Sequence, residues 1–260
     1  MSQIADTPNE MGGWAVFLDV DGTILEIAET PQDVHVPESL KILLNALCLR
    51  LDGALALVSG RSIADLDRLF APFRFCAAGV HGSEWREPSG CVMRGRIDAS
   101  VLDEVRGELF TLVDAFPGLL LEDKQVALAM HFRRVPHLRT TVRDRMAKVA
   151  AGLSPQFALL SGKCVFEIRP AAWTKATAIE RFMEQPPFVG RVPIFIGADL
   201  TDEHGFTWVN GKHGMSIRVG PSQRSVAQYA FADVSEARTW LRSIPPVFQA
   251  RLRPIGEGWS

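Results

Sequence analysis

The sequence has few cysteines, and none of them is spaced as a zinc site requires. The four cysteines, at positions 48, 76, 91 and 164, form no Cys-x-x-Cys pair and have no matching histidine spacing. We therefore expect buried, reduced thiols. A chain of 260 residues buries enough apolar surface to fold without disulfides or a structural metal.

The sequence also lacks an excess of positive charge and any long apolar run. Its 28 Lys and Arg residues stand against 30 Asp and Glu residues, which gives a formal net charge of −2. This balance does not indicate a nucleic-acid binder, because such proteins neutralise phosphates with a basic surface. No apolar run approaches the ~20 residues that cross a bilayer, and residues 1–9 do not resemble a secretory signal. We expect a cytoplasmic protein that binds neither nucleic acid nor a membrane.

Short apolar runs that end in glycine or polar residues alternate with helical patterns. The runs are residues 14–19, 54–58 and 192–196, and uninterrupted apolar strands are typical of parallel sheets. Leucines at helical spacing in residues 37–51, and the pattern of residues 63–70, predict helices between the strands. This order predicts a doubly wound, Rossmann-like α/β sheet, in which ligands bind beyond the carboxyl ends of the strands.

The middle of the chain has a different pattern. Residues 126–133 and 163–169 alternate between apolar and polar side chains, which is typical of antiparallel strands. We expect a smaller α+β cap domain at residues 82–169, inserted into a core formed by residues 1–81 and 170–260. The functional site would lie in the cleft between the two.

Two carboxylates follow the first predicted strand. Asp19 and Asp21 are two residues apart, so both side chains point the same way from an extended backbone, and Gly22 permits a sharp turn after them. Acids so close raise each other's pKa unless a cation lies between them, which indicates a hard ion such as Mg²⁺. One acid can then attack a phosphoryl group while the other holds or donates a proton. The alternative is a pair of solvated loop acids.

The segment Asp-Val-Asp-Gly-Thr at residues 19–23 resembles the first motif, DxDGT, of the haloacid-dehalogenase-like (HAD) phosphatase superfamily. The resemblance implies that Asp19 is a nucleophile that becomes phosphorylated and that Asp21 is the general acid and base. It also implies a Mg²⁺ site at Asp19, at the backbone carbonyl of Asp21 and at Asp199, which belongs to the fourth motif at residues 197–203.

Two further motifs of that superfamily have counterparts. Ser59 resembles the serine of the second motif, whose hydroxyl binds the phosphate, and Gly60 and Arg61 continue that motif as further implied substrate contacts. Ser and Gly are, however, common in any strand-to-helix turn. Lys175 resembles the third-motif lysine, which would offset charge on Asp19 and on the phosphoryl group. Outside this motif order, a lone lysine at a helix start is usually a solvated surface residue.

Longer stretches resemble the trehalose-6-phosphate phosphatases. They are residues 79–82, 121–124, 131–133, 162–163, 167–170 and 201–203. The resemblance implies a small-molecule sugar phosphate, trehalose 6-phosphate, as substrate, and the implied contacts are His81, Gly82, Glu122, Lys124, Arg133, Lys163 and Glu167. His131 is either a further contact or a strand histidine with its hydrogen bonds satisfied, while Trp85 and Trp173 are interpreted as packing residues.

One position departs from the family pattern. The fourth motif normally reads GDDxTDE, and Ala198 stands where the first aspartate belongs. Since Mg²⁺ is held by few protein oxygens, this loss predicts weaker metal binding. Asp199 or Asp202 could shift to replace the ligand, the chain could be altered on purpose, or it could be a natural member of low activity. The alternatives to the predicted function are a phosphatase for another sugar phosphate and a sugar-phosphate-binding regulator without turnover.

Overall fold

The computed structural model describes residues 13–28, 33–95, 98–162, 164–221 and 225–244. The strands are β1 (Trp14–Leu18), β2 (Leu55–Val58), β3 (Cys76–Gly79), β4 (Glu84–Arg86), β5 (Val92–Arg94), β6 (Leu120–Asp123), β7 (Leu128–His131), β8 (Phe157–Gly162), β9 (Val165–Pro170), β10 (Val192–Gly197), β11 (Met215–Val219) and β12 (Tyr229–Phe231). The helices are α1 (Glu38–Arg50), α2 (Ile63–Phe70), α3 (Asp103–Ala115), α4 (Arg139–Gly152), α5 (Lys175–Met183), α6 (Asp202–Gly211) and α7 (Val234–Ser243).

A large sheet of eight strands forms one layer of the molecule. Its strand order is β12-β11-β10-β1-β2-β3-β4-β5, and the six strands from β12 to β3 run parallel. β1 lies between β10 and β2, so that Phe17 pairs with Phe195 on one side and with Ala56 on the other. The predicted α/β fold with a parallel sheet is confirmed.

Aromatic side chains pack the core around the central strand. Phe17 is fully buried, and its ring centroid lies 5.5 Å from that of Phe188 and 6.1 Å from that of Phe182 on α5. Aromatic pairs of this kind stabilise the fold beyond the free energy gained by burying their apolar surface. The β1 strand and the α5 helix, which carry Asp19 and Lys175 at their ends, are therefore anchored to one another by these rings.

Side-chain caps set the starts of three helices. Ser62 accepts a hydrogen bond from the backbone N–H of Asp65 at the start of α2, and Asp233 accepts one from Glu236 at the start of α7. Thr174 forms a capping box with Thr177 at the start of α5. These caps satisfy backbone N–H groups that have no partner within the helix. The capping side chain therefore determines the residue at which each of the three helices begins.

A second, antiparallel sheet has the order β6-β7-β9-β8, with its own buried cluster that includes Leu109, Met130, Met146 and Phe166. The large sheet, however, extends beyond the boundary expected at residue 82, because β4 pairs with β3, and β5 with β4, in antiparallel fashion. Both strands therefore belong to the large sheet. The division of the chain into domains stays a prediction. None of the helices in the described ranges is both long enough and apolar enough to cross a bilayer.

We expect Phe17→Ala to lower the free energy of unfolding by about 3–5 kcal/mol, because the cavity left among Phe182 and Phe188 is fully enclosed. Urea unfolding would measure this loss. Phe110→Ala is the matched control, since Phe110 is 48% exposed and should change stability little. Equal losses in the two variants would contradict the packing described for β1.

Candidate active site

A cavity of about 790 Å³ lies between the carboxyl ends of the central strands and the second sheet. The ends of β1, β2 and β10 meet there because these strands are neighbours in the large sheet. The cavity is lined by these sequence-predicted residues: Asp19, Asp21, Ser59, Gly60, Arg61, His81, Glu122, Lys124, Arg133, Glu167, Lys175 and Asp199. The structure thus brings together residues that the sequence spreads over 180 positions, 19 to 199.

Asp19 lies on the floor of this cavity, 4% exposed. Its Oδ1 accepts a hydrogen bond of 2.7 Å from Lys175 Nζ, and its Oδ2 accepts one of 2.8 Å from Thr23 Oγ1. Burial raises the pKa of Asp19, the positive charge of Lys175 opposes this rise, and the negative charge of Asp199 adds to it. The carboxylate is therefore held in place by two donors but remains close to another anion.

Lys175 is a buried cation between two carboxylates. It is the first residue of α5 and is only 2% exposed, and its Nζ donates to Asp202 Oδ1 at 2.7 Å as well as to Asp19. Burial would lower the pKa of Lys175, but Asp19 and Asp202 together hold it above its ordinary value. The ammonium therefore stays charged, whereas a buried lysine without carboxylate partners would lose its proton.

Asp202 also fixes the loop that follows β10. Its Oδ2 accepts hydrogen bonds of 2.9 Å from the backbone N–H groups of Ala198 and Asp199. A Cβ atom at Gly197 would lie 2.4 Å from Asp202 Cγ, so only glycine permits this approach. Burial raises the pKa of Asp202 well above its ordinary value, with Lys175 opposing that rise.

Asp199 projects from the same loop into the cavity. Its Oδ1 accepts hydrogen bonds from the backbone N–H of Thr201 at 2.7 Å and from Thr201 Oγ1 at 2.6 Å. Burial works to raise the pKa of Asp199, but the charge of Lys175 and the bonds from Thr201 lower it below its ordinary value. Asp199 is accordingly an anion beside Asp19.

Asp21 is bound on both carboxylate oxygens by one side chain. Arg61 Nε donates to Oδ2 at 2.7 Å and Arg61 Nη2 donates to Oδ1 at 2.8 Å. The arrangement is the bidentate pairing that the planar guanidinium favours. The two residues are 40 positions apart in the sequence and meet because β1 and β2 are adjacent.

Four residues connect the second sheet to the large one. Lys124 Nζ donates to the backbone carbonyl of Gly60 at 2.9 Å and to Glu167 Oε2 at 3.1 Å. Glu167 Oε2 also lies 3.3 Å from His81 Nε2. Burial works against the charge of Glu167, yet Lys124 and His81 hold its pKa below the ordinary value. We call Gly60, His81, Lys124 and Glu167 the bridging cluster.

Two atoms of the bridging cluster are buried without a hydrogen-bond partner, His81 Nδ1 and Glu167 Oε1. Buried polar atoms normally have partners. His81 itself has a left-handed backbone, with φ at 56°, a conformation that costs energy for a residue with a side chain. Strain and unsatisfied polar atoms therefore coincide at the cavity wall, where a ligand could supply the missing bonds.

The remaining predicted residues have varied positions. Glu122 Oε2 pairs with His131 Nε2 at 2.8 Å, and both side chains line the cavity, as does Arg133. Gly82 is absent from the described lining; its φ is +103°, and a Cβ there would lie 2.8 Å from the Thr174 carbonyl oxygen. Its position is explained by this backbone approach to the start of α5. Lys163 lies outside the described residues.

The two tryptophans pack against one another away from the cavity, as predicted. The ring centroids of Trp85 and Trp173 are 6.2 Å apart, and the Arg181 guanidinium lies 3.7 Å from the Trp85 ring. Such contacts between a cation and an aromatic ring are stabilising. They join β4 to α5 rather than forming a sugar platform.

A family model described as trehalose-phosphatase matches residues 17–236. The chain belongs to the trehalose-phosphatase family. The trehalose-6-phosphate phosphatase of Escherichia coli (strain K12) is 39% identical over 248 residues, which cover 95% of this chain and 92% of that protein. The predicted family, and with it the assignment of the chain as a phosphatase, is confirmed.

Solved structures show the same fold. A trehalose-6-phosphate phosphatase related protein superposes with a TM-score of 0.74 at 26% identity, covering 87% of this chain and 95% of that one. A phosphatase of the haloalkanoate (HAD) superfamily from Bacteroides thetaiotaomicron superposes with a TM-score of 0.59, covering 92% and 97% of the two chains. At 16% identity this second likeness concerns the fold alone. This chain is therefore similar to the trehalose-phosphatase family in its fold as well as in its sequence motifs.

Sequence reasoning assigned no role to Thr23 or Arg218 and considered Asp202 only as a possible replacement metal ligand. Thr23 holds Asp19, and Asp202 holds both Lys175 and the loop after β10. Arg218, at the end of β11, donates to Glu203 at 3.2 Å and lines the cavity, with its Nε buried and unbonded. An acid at a helix start was a signal for Asp202, whereas nothing near Arg218 in the sequence distinguished it from a solvated strand residue.

The acidic residues fit a magnesium ion, although they provide few ligand oxygens. Asp19 and Asp199 are like charges close enough to affect each other's ionisation, which a cation would relieve. The side chain of Asp21 is held by Arg61, leaving its backbone carbonyl. No group of three His, Cys, Asp or Glu side chains in the described part of the chain is placed to hold a metal ion. Two carboxylates suffice for Mg²⁺, which keeps several waters and takes oxygens from substrate phosphate.

We expect Glu167→Gln to lower the free energy of unfolding at pH 7 by about 1–3 kcal/mol, because the charge of Lys124 loses its buried partner. The pKa of Glu167 is lowered in the folded protein, so the contribution exists above the ordinary value of 4.5 and is lost as the pH falls below it. Urea unfolding at pH 7 and at acid pH would show the difference between variant and unaltered protein shrinking.

The exposed Glu180 on α5 provides the matched control Glu180→Gln, which should change stability little at either pH. A Glu167→Gln effect of equal size at both pH values would contradict an ionic role for Glu167 in the bridging cluster.

Proposed function

We propose that this protein hydrolyses trehalose 6-phosphate to trehalose and inorganic phosphate in a Mg²⁺-dependent reaction through an aspartyl-phosphate on Asp19. The observation that carries the proposal is the buried Asp19 carboxylate, held by Lys175 and Thr23 at the floor of the cavity. A nucleophile needs a fixed orientation toward the reacting atom. The two hydrogen bonds supply that orientation.

In the first half of the proposed reaction, a carboxylate oxygen of Asp19 attacks phosphorus, and the bond from phosphorus to the sugar oxygen breaks. Asp21 donates its proton to that leaving oxygen. The ammonium of Lys175, buried and charged beside Asp19, stabilises the negative charge on the phosphoryl oxygens as they pass between donor and acceptor.

In the second half, Asp21 takes a proton from a water molecule, whose oxygen attacks the phosphorus of the aspartyl-phosphate. The bond from phosphorus to Asp19 breaks, which releases inorganic phosphate and restores both carboxyl groups. One residue thus serves first as acid and then as base. Its place two residues after the nucleophile puts it on the same side of the backbone.

Sugar recognition is assigned to the charged residues of the second sheet that line the cavity, namely Glu122, Lys124, Arg133 and Glu167, with His81 from the large sheet. Charged groups form strong hydrogen bonds to hydroxyls and reject sugars that leave them unpaired. The name of the Escherichia coli relative supports trehalose 6-phosphate rather than another sugar phosphate. We also propose Lys163 as a sugar contact, on the basis of its sequence motif alone.

Mg²⁺, when bound, supplies positive charge to the phosphate oxygens. The groups that would hold it are the side chains of Asp19 and Asp199 and the backbone carbonyl of Asp21. Ala198 limits this set. A Cβ atom at Gly22 would lie 3.3 Å from the methyl of Ala198, so the side chain at position 198 faces the loop that carries the first-motif acids. A carboxylate there would be directed at the proposed metal position.

Ala198 also favours a second candidate function, a sugar-phosphate-binding regulator that retains the cavity without turnover. The two candidates share their binding residues. They differ in whether phosphate is released, which the following experiments decide.

Asp19→Asn is expected to abolish phosphate release from trehalose 6-phosphate while the protein stays folded, because an amide oxygen is a far weaker nucleophile than a carboxylate. Colorimetric phosphate assays and circular dichroism would measure these two properties. Asp114→Asn, at an exposed position of α3, is the matched control and should retain full activity. Continued phosphate release by Asp19→Asn would exclude the aspartyl-phosphate.

Ala198→Asp is expected to tighten Mg²⁺ binding by about tenfold or more, since a carboxylate is added to a site with few protein oxygens. The rise in melting temperature with added Mg²⁺ measures binding without turnover, and phosphate release at each Mg²⁺ concentration measures activity. Ala172→Asp, at an exposed position, controls for added charge. Identical Mg²⁺ responses in all three proteins would contradict a metal position beside residue 198.

The same assays separate the two candidate functions. Turnover in the unaltered chain or only in Ala198→Asp supports the phosphatase. Tight binding of trehalose 6-phosphate without release in either protein supports the regulator.

A further inference from the structure

Among the described residues, the carboxylate of Asp21 is held by the side chain of Arg61. Both of its oxygens accept hydrogen bonds from Arg61, at 2.7 and 2.8 Å, while the oxygens of Asp19 are bonded to Lys175 and Thr23 instead. Asp21 therefore takes its orientation from the loop that follows β2, and the nucleophile takes its orientation from α5 and from its own loop.

Arg61 is the more buried member of this pair. Its side chain is 9% exposed, against 35% for that of Asp21. Its backbone is fixed on both sides, because its N–H donates to Ser59 Oγ at 3.1 Å and its carbonyl accepts from the Val80 N–H at 2.9 Å. A buried guanidinium on a fixed backbone sets the position of the more exposed carboxylate, and not the reverse.

The second sheet contributes to the same loop. Lys124 Nζ donates to the carbonyl of Gly60, the residue before Arg61. The negative charge of Glu122 also acts favourably on the Arg61 guanidinium. A Cβ at Gly60 would lie 2.8 Å from the His81 ring, so the loop has no space to shift toward that side. The docked second sheet thus holds Arg61 where it grips Asp21.

We propose that Arg61 acts as the positioning residue of Asp21, with its bidentate grip setting where Asp21 exchanges protons. The inference rests on the proposed function, in which Asp21 protonates the sugar oxygen and deprotonates water. It differs from the expectation, implied by the second motif, that Arg61 binds the substrate. Loss of a phosphate ligand weakens phosphate binding, whereas loss of a positioning residue slows the chemical steps and leaves binding in place.

Arg61→Gln provides the test, with Mg²⁺ present. We expect kcat for trehalose 6-phosphate to fall about 10- to 100-fold, since a misplaced acid and base loses much of its contribution. We expect KM, and the dissociation constant of inorganic phosphate measured by calorimetry, to change less than about threefold. Arg61→Lys keeps the charge but not the two-pronged geometry, so its kcat should also fall while its phosphate binding is retained.

The matched control is Arg68→Gln on α2, whose side chain is 56% exposed and should leave kcat, KM and phosphate binding unchanged. Melting temperatures of all variants identify any loss of folding, and Arg61→Lys serves if Arg61→Gln does not fold. A loss of phosphate binding of tenfold or more in a folded Arg61 variant would overturn the proposal in favour of a phosphate ligand, as would an unchanged kcat.

Failure of the proposed function is a separate result. It would show as absence of phosphate release from trehalose 6-phosphate in both the unaltered chain and Ala198→Asp. In that case retained phosphate binding in Arg61→Gln still excludes Arg61 as a phosphate ligand, whereas lost binding overturns the inference.

Discussion

The cation of Lys175, enclosed between Asp19 and Asp202, is the interaction on which the rest of the site depends. Two buried carboxylates without this ammonium would repel one another, and the cost of removing them from water would not be repaid. Through Asp202, the same cation is connected to the backbone of Ala198 and Asp199. One charge therefore orders the end of β1, the start of α5 and the loop after β10.

This arrangement requires the parallel sheet beneath it. The strands β10, β1 and β2 present their carboxyl ends at one edge, and each delivers a polar segment directly from a buried strand. Phe17, Phe182 and Phe188 fix β1 relative to α5, so the distance between Asp19 and Lys175 is set by packing far from solvent. The electrostatics of the site are in this sense a consequence of the hydrophobic core.

The sequence predicted the elements whose signals are local. The central strands are uninterrupted apolar runs, α1 has leucines at helical spacing, and the acids of residues 19–21 follow their strand directly. The pairing of β4 and β5 with the large sheet was not predictable, because three-residue strands have the same alternation in either sheet. The contact predicted at Gly82 stays a prediction: its φ of +103° already accounts for a glycine there, and a conformational requirement and a binding role leave the same glycine in a sequence.

Side-chain partners formed across the fold were also beyond local reasoning. Arg61 meets Asp21, Asp202 meets Lys175, and Lys124 meets Gly60 only because segments far apart in sequence are neighbours in space. Sequence motifs identified most of these residues as members of one site. They did not show which of these residues form hydrogen bonds with one another, because a side chain in such a motif can bind either the substrate or another side chain.

The bridging cluster of Gly60, His81, Lys124 and Glu167 has a consequence for selectivity. In this structure most polar atoms in this wall of the cavity bond to one another, so an entering sugar would replace those bonds and add new ones only at His81 Nδ1 and Glu167 Oε1. The measured affinity would then be the small difference between the free energy of the bonds formed with the sugar and that of the bonds lost within the wall. A sugar that lacks one hydroxyl would leave a charged group without its original partner and without a new one. Such a wall favours strict discrimination at modest affinity.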